Sequence, residues 1–110
     1  MSFLDDAAVV VSALAEYDRE SVNREKPVIK QRPMGELVHE LDLASYAANG
    51  GLEGEALAQF VAKYLSETTR LRHPGYMAHQ VAVTHYSGAL GSLIDGFTNN
   101  AMAIYEMGPA

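Results

Sequence analysis

The 110-residue chain contains no cysteine and no tryptophan, and basic side chains are scarce. The absence of cysteine excludes disulfides, thiolate nucleophiles and zinc–thiolate sites, and it fits a reducing compartment such as the cytosol. Eight Lys and Arg residues against fourteen Asp and Glu residues give a net charge of −6. Because nucleic-acid binders need a basic face, this balance argues against a nucleic-acid partner.

Long apolar segments are also missing. The apolar run near the start, residues 7–15, is interrupted by Ser12 and is much shorter than the roughly 20 residues that a membrane-spanning helix needs. Asp5 and Asp6 stand where a secretory signal would carry basic residues. We therefore expect a soluble, cytoplasmic protein with no membrane partner.

The spacing of apolar residues predicts a mainly α fold of three to four helices. The predicted helices cover residues 3–21, 33–48, 53–71 and 87–105. Ser2 is placed to cap the first helix together with Asp5. Pro33 is placed as the first residue of the second helix, and residues 49–51 (Asn-Gly-Gly) are typical of its end.

Two helices carry clear apolar faces. The first has a stripe that needs a partner surface, formed by Leu4, Ala8, Val11, Ala15 and Asp18, with Leu14 widening its apolar side. The third has the strongest pattern and is the expected core, through Leu57, Phe60, Val61, Tyr64, Leu65 and Thr68. Its opposite, polar face is predicted to carry Glu55, Gln59, Lys63, Glu67 and Arg70. Three glycines in the last helix, Gly88, Gly91 and Gly96, predict close approach of another backbone.

Residues 22–33 are polar, basic and bracketed by Pro27 and Pro33, which indicates an extended connector. Two interpretations remain open for it, a solvated linker or a strap across a partner subunit. After Pro74 and Gly75 break the third helix, residues 76–86 show no helical stripe, so we expect an ordered loop over 73–86.

Three histidines, His73, His79 and His85, recur every six residues and raise the question of a metal site. On a helix this spacing points the side chains apart, and on a strand it separates neighbours by roughly 20 Å. We therefore expect no metal. His73 precedes proline at the predicted helix end, where its ring could bond the last carbonyls or lie near a pocket. Asn99 and Asn100 suggest one exposed amide and one helix–helix hydrogen bond.

Residues 73–81 read His-Pro-Gly-Tyr-Met-Ala-His-Gln-Val, and residues 99–109 read Asn-Asn-Ala-Met-Ala-Ile-Tyr-Glu-Met-Gly-Pro. Together they resemble the N-terminal segment of the group II pyridoxal-phosphate-dependent amino-acid decarboxylases. In that family a His-Pro-x-[Phe/Tyr] turn leads into a loop at the substrate pocket. A long helix follows and ends in [Tyr/Trp]-Glu-x-x-Pro. The family includes glutamate, aromatic amino-acid, tyrosine and 2,4-diaminobutyrate decarboxylases.

The resemblance implies roles for particular residues. The pocket-lining candidates are Tyr76, His79, Gln80, Val81 and Ala82, and the structural or interface candidates are His73, Pro74, Asn99 and Asn100. The chain lacks the Asn-Gln-Leu-Ser-Thr run of the glutamate enzymes and the Tyr-Phe-Pro-Thr run of the aromatic ones. It is closer to the Gly-His-Gln-Val version of the diaminobutyrate-like branch, with Ala78 in the first position. The substrate amino acid stays open.

A pyridoxal-phosphate enzyme also needs a lysine for the Schiff base. Lys26, Lys30 and Lys63 are the three lysines, and none lies in the family's His-Lys motif. We therefore expect no catalytic residue here, and no pyridoxal phosphate bound by this chain alone. The resemblance implies a helical dimerisation arm over residues 1–72, a pocket loop over 73–86 and a long helix over 87–110 that leads to a cofactor domain beyond the chain.

Three functions follow from these patterns. The first is the N-terminal part of a decarboxylase, which forms a homodimer through its helices and takes an amino-acid substrate in the complete enzyme. The second is a standalone helical interaction module without enzymatic activity. The third is a small-ligand-binding helical domain that uses Tyr76, His79 and Gln80.

Overall fold

A computed structural model describes residues 2–77, 83 and 85–98 of the chain. Five α-helices lie within these residues: α1 (Phe3–Val22), α2 (Met34–Leu41), α3 (Leu43–Asn49), α4 (Gly54–Glu67) and α5 (Tyr86–Thr98). No strand occurs in this part of the chain, so the mainly α fold is confirmed. The chain divides into two compact units, Met1–Ala78 and His79–Ala110.

α1 begins with the capping box that its sequence indicates. The Ser2 hydroxyl accepts a hydrogen bond from the Asp5 N–H at 3.1 Å, and the Asp5 carboxylate accepts one from the Ser2 N–H at 3.4 Å. Two of the amide groups at the helix start are thereby satisfied. The cap lets α1 continue for 20 residues through the three consecutive valines that lower its intrinsic helix preference.

We expect Ser2→Ala to destabilise the protein by about 1 kcal/mol, because the Asp5 N–H loses its acceptor. Thermal unfolding followed by far-UV circular dichroism measures the change. Ser12→Ala, at an exposed position inside α1, is the matched control and should be neutral or slightly stabilising. A loss of similar size in both variants would contradict a capping role for Ser2.

The prediction of a single helix over residues 33–48 is wrong, because the structure has two helices there with a break at Asp42. This residue has φ 55° and ψ 40°, the left-handed conformation that ends α2. Aspartate tolerates that region better than most residues because its short side chain can bond locally. Pro33 precedes α2 with ψ 137° and is its cap residue, not its first helical residue. The Asn49-Gly50-Gly51 sequence ends α3, and both glycines have positive φ.

α4 packs against α1 and, over a smaller area, against α2. Its first residue, Gly54, donates its N–H to the Asp6 carboxylate of α1 at 3.1 Å. The helix ends at Glu67, four residues before the predicted end at 71. The chain leaves the helix because Thr68 is extended and the Arg70 N–H bonds the Val28 carbonyl of the connector.

The side of α1 that faces α4 is not the stripe that its sequence singles out. Asp6 and Tyr17 bond the start of α4 and the segment after it, and Val10 and Ala13 are half-buried on the same side. The predicted stripe lies on the far side of the helix. Its apolar members Leu4, Ala8, Val11, Leu14 and Ala15 are exposed, with Leu4 at 76% and Val11 at 52%, whereas Asp18 is half-buried and paired with Arg72.

The expected apolar core on α4 is only partly formed. Leu57, Phe60, Val61 and Leu65 are half-buried, and Tyr64 is exposed. Two aromatic contacts involve Phe60, an edge-on one with Tyr46 at 5.9 Å and a stacked one with Tyr64 at 6.2 Å. No apolar side chain in the described part of the chain is fully buried. The helices of the first unit therefore leave apolar surface uncovered.

α5 begins one residue before the predicted start, and the Ser87 N–H near its start donates to the His85 ring at 3.1 Å. Its apolar residues Leu90, Leu93, Ile94 and Phe97 are exposed. A methyl group built on Gly91 or Gly96 would meet none of the described atoms within 4 Å, and the approach of another backbone to this helix stays a prediction. None of the described helices is both long and apolar enough to cross a membrane.

Candidate functional site

The His-Pro-Gly-Tyr sequence forms a tight turn. The Tyr76 N–H donates to the His73 carbonyl at 3.0 Å, and the Gly75 N–H donates to the His73 ring nitrogen Nδ1 at 2.8 Å. A Cβ atom at position 75 would lie 3.2 Å from this ring, which explains the glycine. Of the two roles left open for the His73 ring, capping of α4 is not made, since that helix ends six residues earlier and the ring closes its own turn.

Only part of the candidate pocket is described. Tyr76 is half-buried, and Pro74 is exposed at the outside of the turn. The other pocket candidates, His79, Gln80, Val81 and Ala82, lie outside the described residues, as do Asn99 and Asn100. Their roles remain predictions, and the described part of the site is the turn and the contacts that hold it.

The segment before the turn is bound to the last two turns of α1. The Tyr17 hydroxyl donates to the Thr69 carbonyl at 3.2 Å, and Arg72 is paired with Asp18. Burial raises the pKa of the Tyr17 hydroxyl, although the neighbouring Arg70 charge opposes the rise. Tyr17 therefore keeps the proton that it donates to Thr69.

Arg70 is the centre of these contacts and is only 4% exposed. Its guanidinium donates from Nη1 to the Ser21 hydroxyl oxygen at 2.9 Å and to the Tyr17 carbonyl at 3.1 Å. It lies 4.3 Å from the Tyr17 ring centroid, within cation–π range, and 3.7 Å from the Glu20 carboxylate. The sequence placed Arg70 on the solvent-facing side of a helix, and this prediction is wrong because the chain turns inward after Glu67.

A groove of about 400 Å³ lies beside this cluster, between α1, the connector and the end of α4. Its charged members are already paired within the chain. Glu16 bonds Arg19, Glu20 lies near Arg70 and Lys26, and Lys30 bonds Glu67. The groove therefore offers few free charged groups to a ligand.

A second charged cluster holds the connector against α2 and α4. Arg32 Nη1 lies 2.8 Å from the Glu67 carboxylate, and Arg32 Nη2 lies 2.5 Å from the Glu40 carboxylate. Lys30 adds a contact to Glu67 at 3.2 Å, and Lys63 lies 3.9 Å from Glu40. The connector is thus not a free linker but is bonded to the helices of its own chain.

Glu67 was predicted on the solvent-facing side of its helix, yet its side chain is only 6% exposed. Its burial disfavours the charged form, but hydrogen bonds from Arg32 and Lys30 outweigh this effect and lower its pKa. The second carboxylate oxygen is buried without a hydrogen-bond partner. The Arg32 guanidinium also lowers the pKa of Glu40, to about 2.

These pairs predict that acid destabilises the protein. Because the pKa of Glu40 is about 2 in the folded chain against 4.5 ordinarily, the unfolded chain takes up protons first as the pH falls. The stabilisation is complete above pH 4.5 and is lost progressively towards pH 2. Urea unfolding between pH 7 and pH 2 measures this slope.

Glu40→Gln should make the free energy of unfolding depend less steeply on pH. It should also lower this free energy at neutral pH. Its difference from the wild type should narrow towards pH 2, where about half of the folded wild-type carboxylates are protonated. Glu36→Gln, at an exposed carboxylate 4.0 Å from Arg32, is the control and should keep the wild-type slope. If Glu40→Gln left the pH dependence of stability unchanged, the pair of Glu40 with Arg32 would not be its cause.

The lysines do not fit the Schiff-base role. Lys26, Lys30 and Lys63 are each about half exposed, and each lies within 4.0 Å of a glutamate. A Schiff-base lysine is activated by removal from water in an apolar pocket, and none of these three side chains lies in one. The described residues also hold no group of three or more His, Asp or Glu side chains able to bind a metal.

Sequence reasoning missed the Arg70 cluster. The available signal was the Thr68-Thr69 pair just before Arg70, because two β-branched residues in succession weaken a helix end. Ser21 and Tyr17, one helical turn apart at the end of α1, supply the matching oxygen atoms.

No family model, curated protein or solved structure matches the chain.

Proposed function

We propose that this chain is the N-terminal portion of a cytoplasmic, homodimeric pyridoxal-phosphate-dependent amino-acid decarboxylase. In this role it supplies subunit contacts and a substrate-pocket loop and is not catalytic by itself. The motifs of residues 73–81 and 99–109 support the family. These motifs are the observation that carries the proposal, and the exposed apolar side chains of α1, Leu4, Ala8, Val11 and Ala15, support its subunit contact.

The stripe supports a subunit contact because the other helices of the first unit, α2, α3 and α4, do not cover it. α4 occupies the other side of α1, and no apolar side chain in the described ranges is fully buried. A small helical unit that buries so little apolar surface gains little stability from its own core. Docking on a second copy would cover the stripe and add the missing burial.

The turn supports the pocket loop. His73, Gly75 and Tyr76 close it by two hydrogen bonds, and the segment before it is bonded to α1 at Tyr17 and Ser21. Loops that bind substrates are typically short segments held by a rigid scaffold. Residues 76–82 follow the turn directly in the sequence. A fixed turn would therefore fix the point from which this segment begins.

The cofactor chemistry of the proposed enzyme would belong to residues outside this chain. Lys26, Lys30 and Lys63 are held in surface ion pairs, and none suits a Schiff base. This chain's own part is to position the loop and to join two subunits. The substrate is an amino acid, and residues 79–82 would help to select its side chain.

The second candidate is a helical interaction module without enzymatic activity. The lysine contacts favour it, since this chain holds no group suited to bind pyridoxal phosphate covalently. The exposed stripe of α1 serves both candidates equally. What separates them is whether the native polypeptide also carries a cofactor-binding domain.

The experiment that tests the proposal is isolation of the native protein from its source by an antibody against this sequence. Intact mass, bound pyridoxal phosphate and CO2 release from a panel of amino acids, including 2,4-diaminobutyrate, are then measured. We expect a mass several times 11.9 kDa, bound cofactor and CO2 release from one substrate class. A native mass of 11.9 kDa without cofactor or CO2 release would refute the decarboxylase and leave the interaction module.

A further inference from the structure

Hydrogen bonds, joined through the covalent structure of Arg70 and His73, connect the end of α1 to the His73–Tyr76 turn. The Arg70 guanidinium bonds the Tyr17 carbonyl and the Ser21 hydroxyl. The Arg70 carbonyl accepts the His73 N–H at 3.2 Å, and the His73 carbonyl accepts the Tyr76 N–H at 3.0 Å. Each step of this path joins neighbouring groups at normal hydrogen-bond distance.

Among the contacts of the described residues, few others tie this segment to the helices. α4 has ended at Glu67, so its backbone ladder does not reach the turn. The Arg70 N–H bonds the connector at Val28, and the Tyr17 hydroxyl and Arg72 add two more links to α1. Arg70 is the one among them that is buried, at the point where α1, the connector and the turn meet.

We propose that Arg70 is a positioning residue that fixes the His73–Tyr76 turn, and with it the start of the substrate loop, on the end of α1. The inference rests on the proposed function, because it assigns this turn to a substrate loop. Arginine suits the task, since its planar guanidinium contacts the Ser21 oxygen and Tyr17 carbonyl, the Tyr17 ring and Glu20 at once. A lysine ammonium keeps the charge but loses this planar geometry.

Hydrogen exchange on the purified full-length protein tests the link directly. In Arg70→Lys we expect the amides of Arg70, His73 and Tyr76 to exchange roughly tenfold faster, while α2 and α3 keep their wild-type rates. Arg19→Lys is the matched control, because Arg19 lies near the same end of α1 but in an exposed pair with Glu16 and Glu25. In Arg19→Lys the amides of His73 and Tyr76 should exchange at the wild-type rates.

A second variant, Tyr17→Phe, removes the bond to Thr69 but keeps the ring beneath Arg70. It should fold and accelerate the same three amides by a smaller factor. Unchanged rates at His73 and Tyr76 in Arg70→Lys would overturn the proposal. An equal acceleration throughout α1, α2 and α4 would also overturn it, since it would show only a general loss of stability.

A kinetic measurement separates positioning from stability. In the decarboxylase of which we propose this chain to be a part, Arg70→Lys should raise KM roughly tenfold and keep most of kcat, because the loop contacts the substrate from a shifted start. A fall in kcat alone, at unchanged KM, would indicate loss of folded enzyme and overturn positioning. If the native protein decarboxylates nothing, the proposed function fails, while the exchange rates still decide the link between Arg70 and the turn.

Discussion

Arg70→Met is expected to lower the free energy of unfolding by about 3–5 kcal/mol, a large part of the roughly 5–15 kcal/mol that stabilises a small domain. Methionine fills similar space but donates no hydrogen bond. The Ser21 oxygen and the Tyr17 carbonyl would lose a charged partner in a buried place, and the partly exposed Glu20 carboxylate would keep only Lys26 among the described residues. Hydrogen bonds to charged groups contribute about 1.5–3 kcal/mol each, which is why this one side chain has such a large effect.

Urea unfolding at neutral pH measures the change, with circular dichroism as the probe. Arg19→Met is the matched control, since Arg19 is also paired with two glutamates but is half exposed. Water screens that pair, so its removal should leave the midpoint almost unchanged. Equal shifts of the urea midpoint in the two variants would show that the burial of Arg70 does not increase its contribution to the free energy of unfolding.

Local signals in the sequence predicted the local parts of the fold. The Ser2–Asp5 capping box starts α1 as expected, and the two glycines after Asn49 end α3. Each of these features depends on residues within a few positions of one another. The break at Asp42 was missed because no glycine or proline marks it and the apolar spacing continues on both sides.

Long-range features could not be predicted in the same way. The stripe of Leu4 and Val11 is the stronger apolar pattern on α1, yet α4 packs on the side of Val10, Ala13 and Tyr17. Periodicity shows which side of a helix is apolar, but not which neighbour covers it. Arg70 bonds residues about fifty positions away along the chain, and only the folded structure brings them together.

Val11→Glu is expected to weaken the proposed self-association of the protein by about 2 kcal/mol, or roughly 30-fold in Kd. Val11 lies in the middle of the exposed stripe, and a second copy docked there would bury it. A buried carboxylate without a partner is costly, and the proposed contact offers it none from the apolar side chains of Leu4, Ala8 and Ala15. Sedimentation velocity over a range of concentrations measures the change.

Ser12→Glu is the control that isolates the apolar contact from charge. The chain already has a net charge of −6, so any added negative charge increases repulsion between two copies. Ser12 is the next residue on the same helix, exposed but outside the stripe, so Ser12→Glu adds the same charge away from the proposed contact. If both variants weaken association equally, repulsion alone accounts for the effect. If only Val11→Glu does so, the stripe is the surface through which two copies meet, as an arm of a dimeric decarboxylase requires.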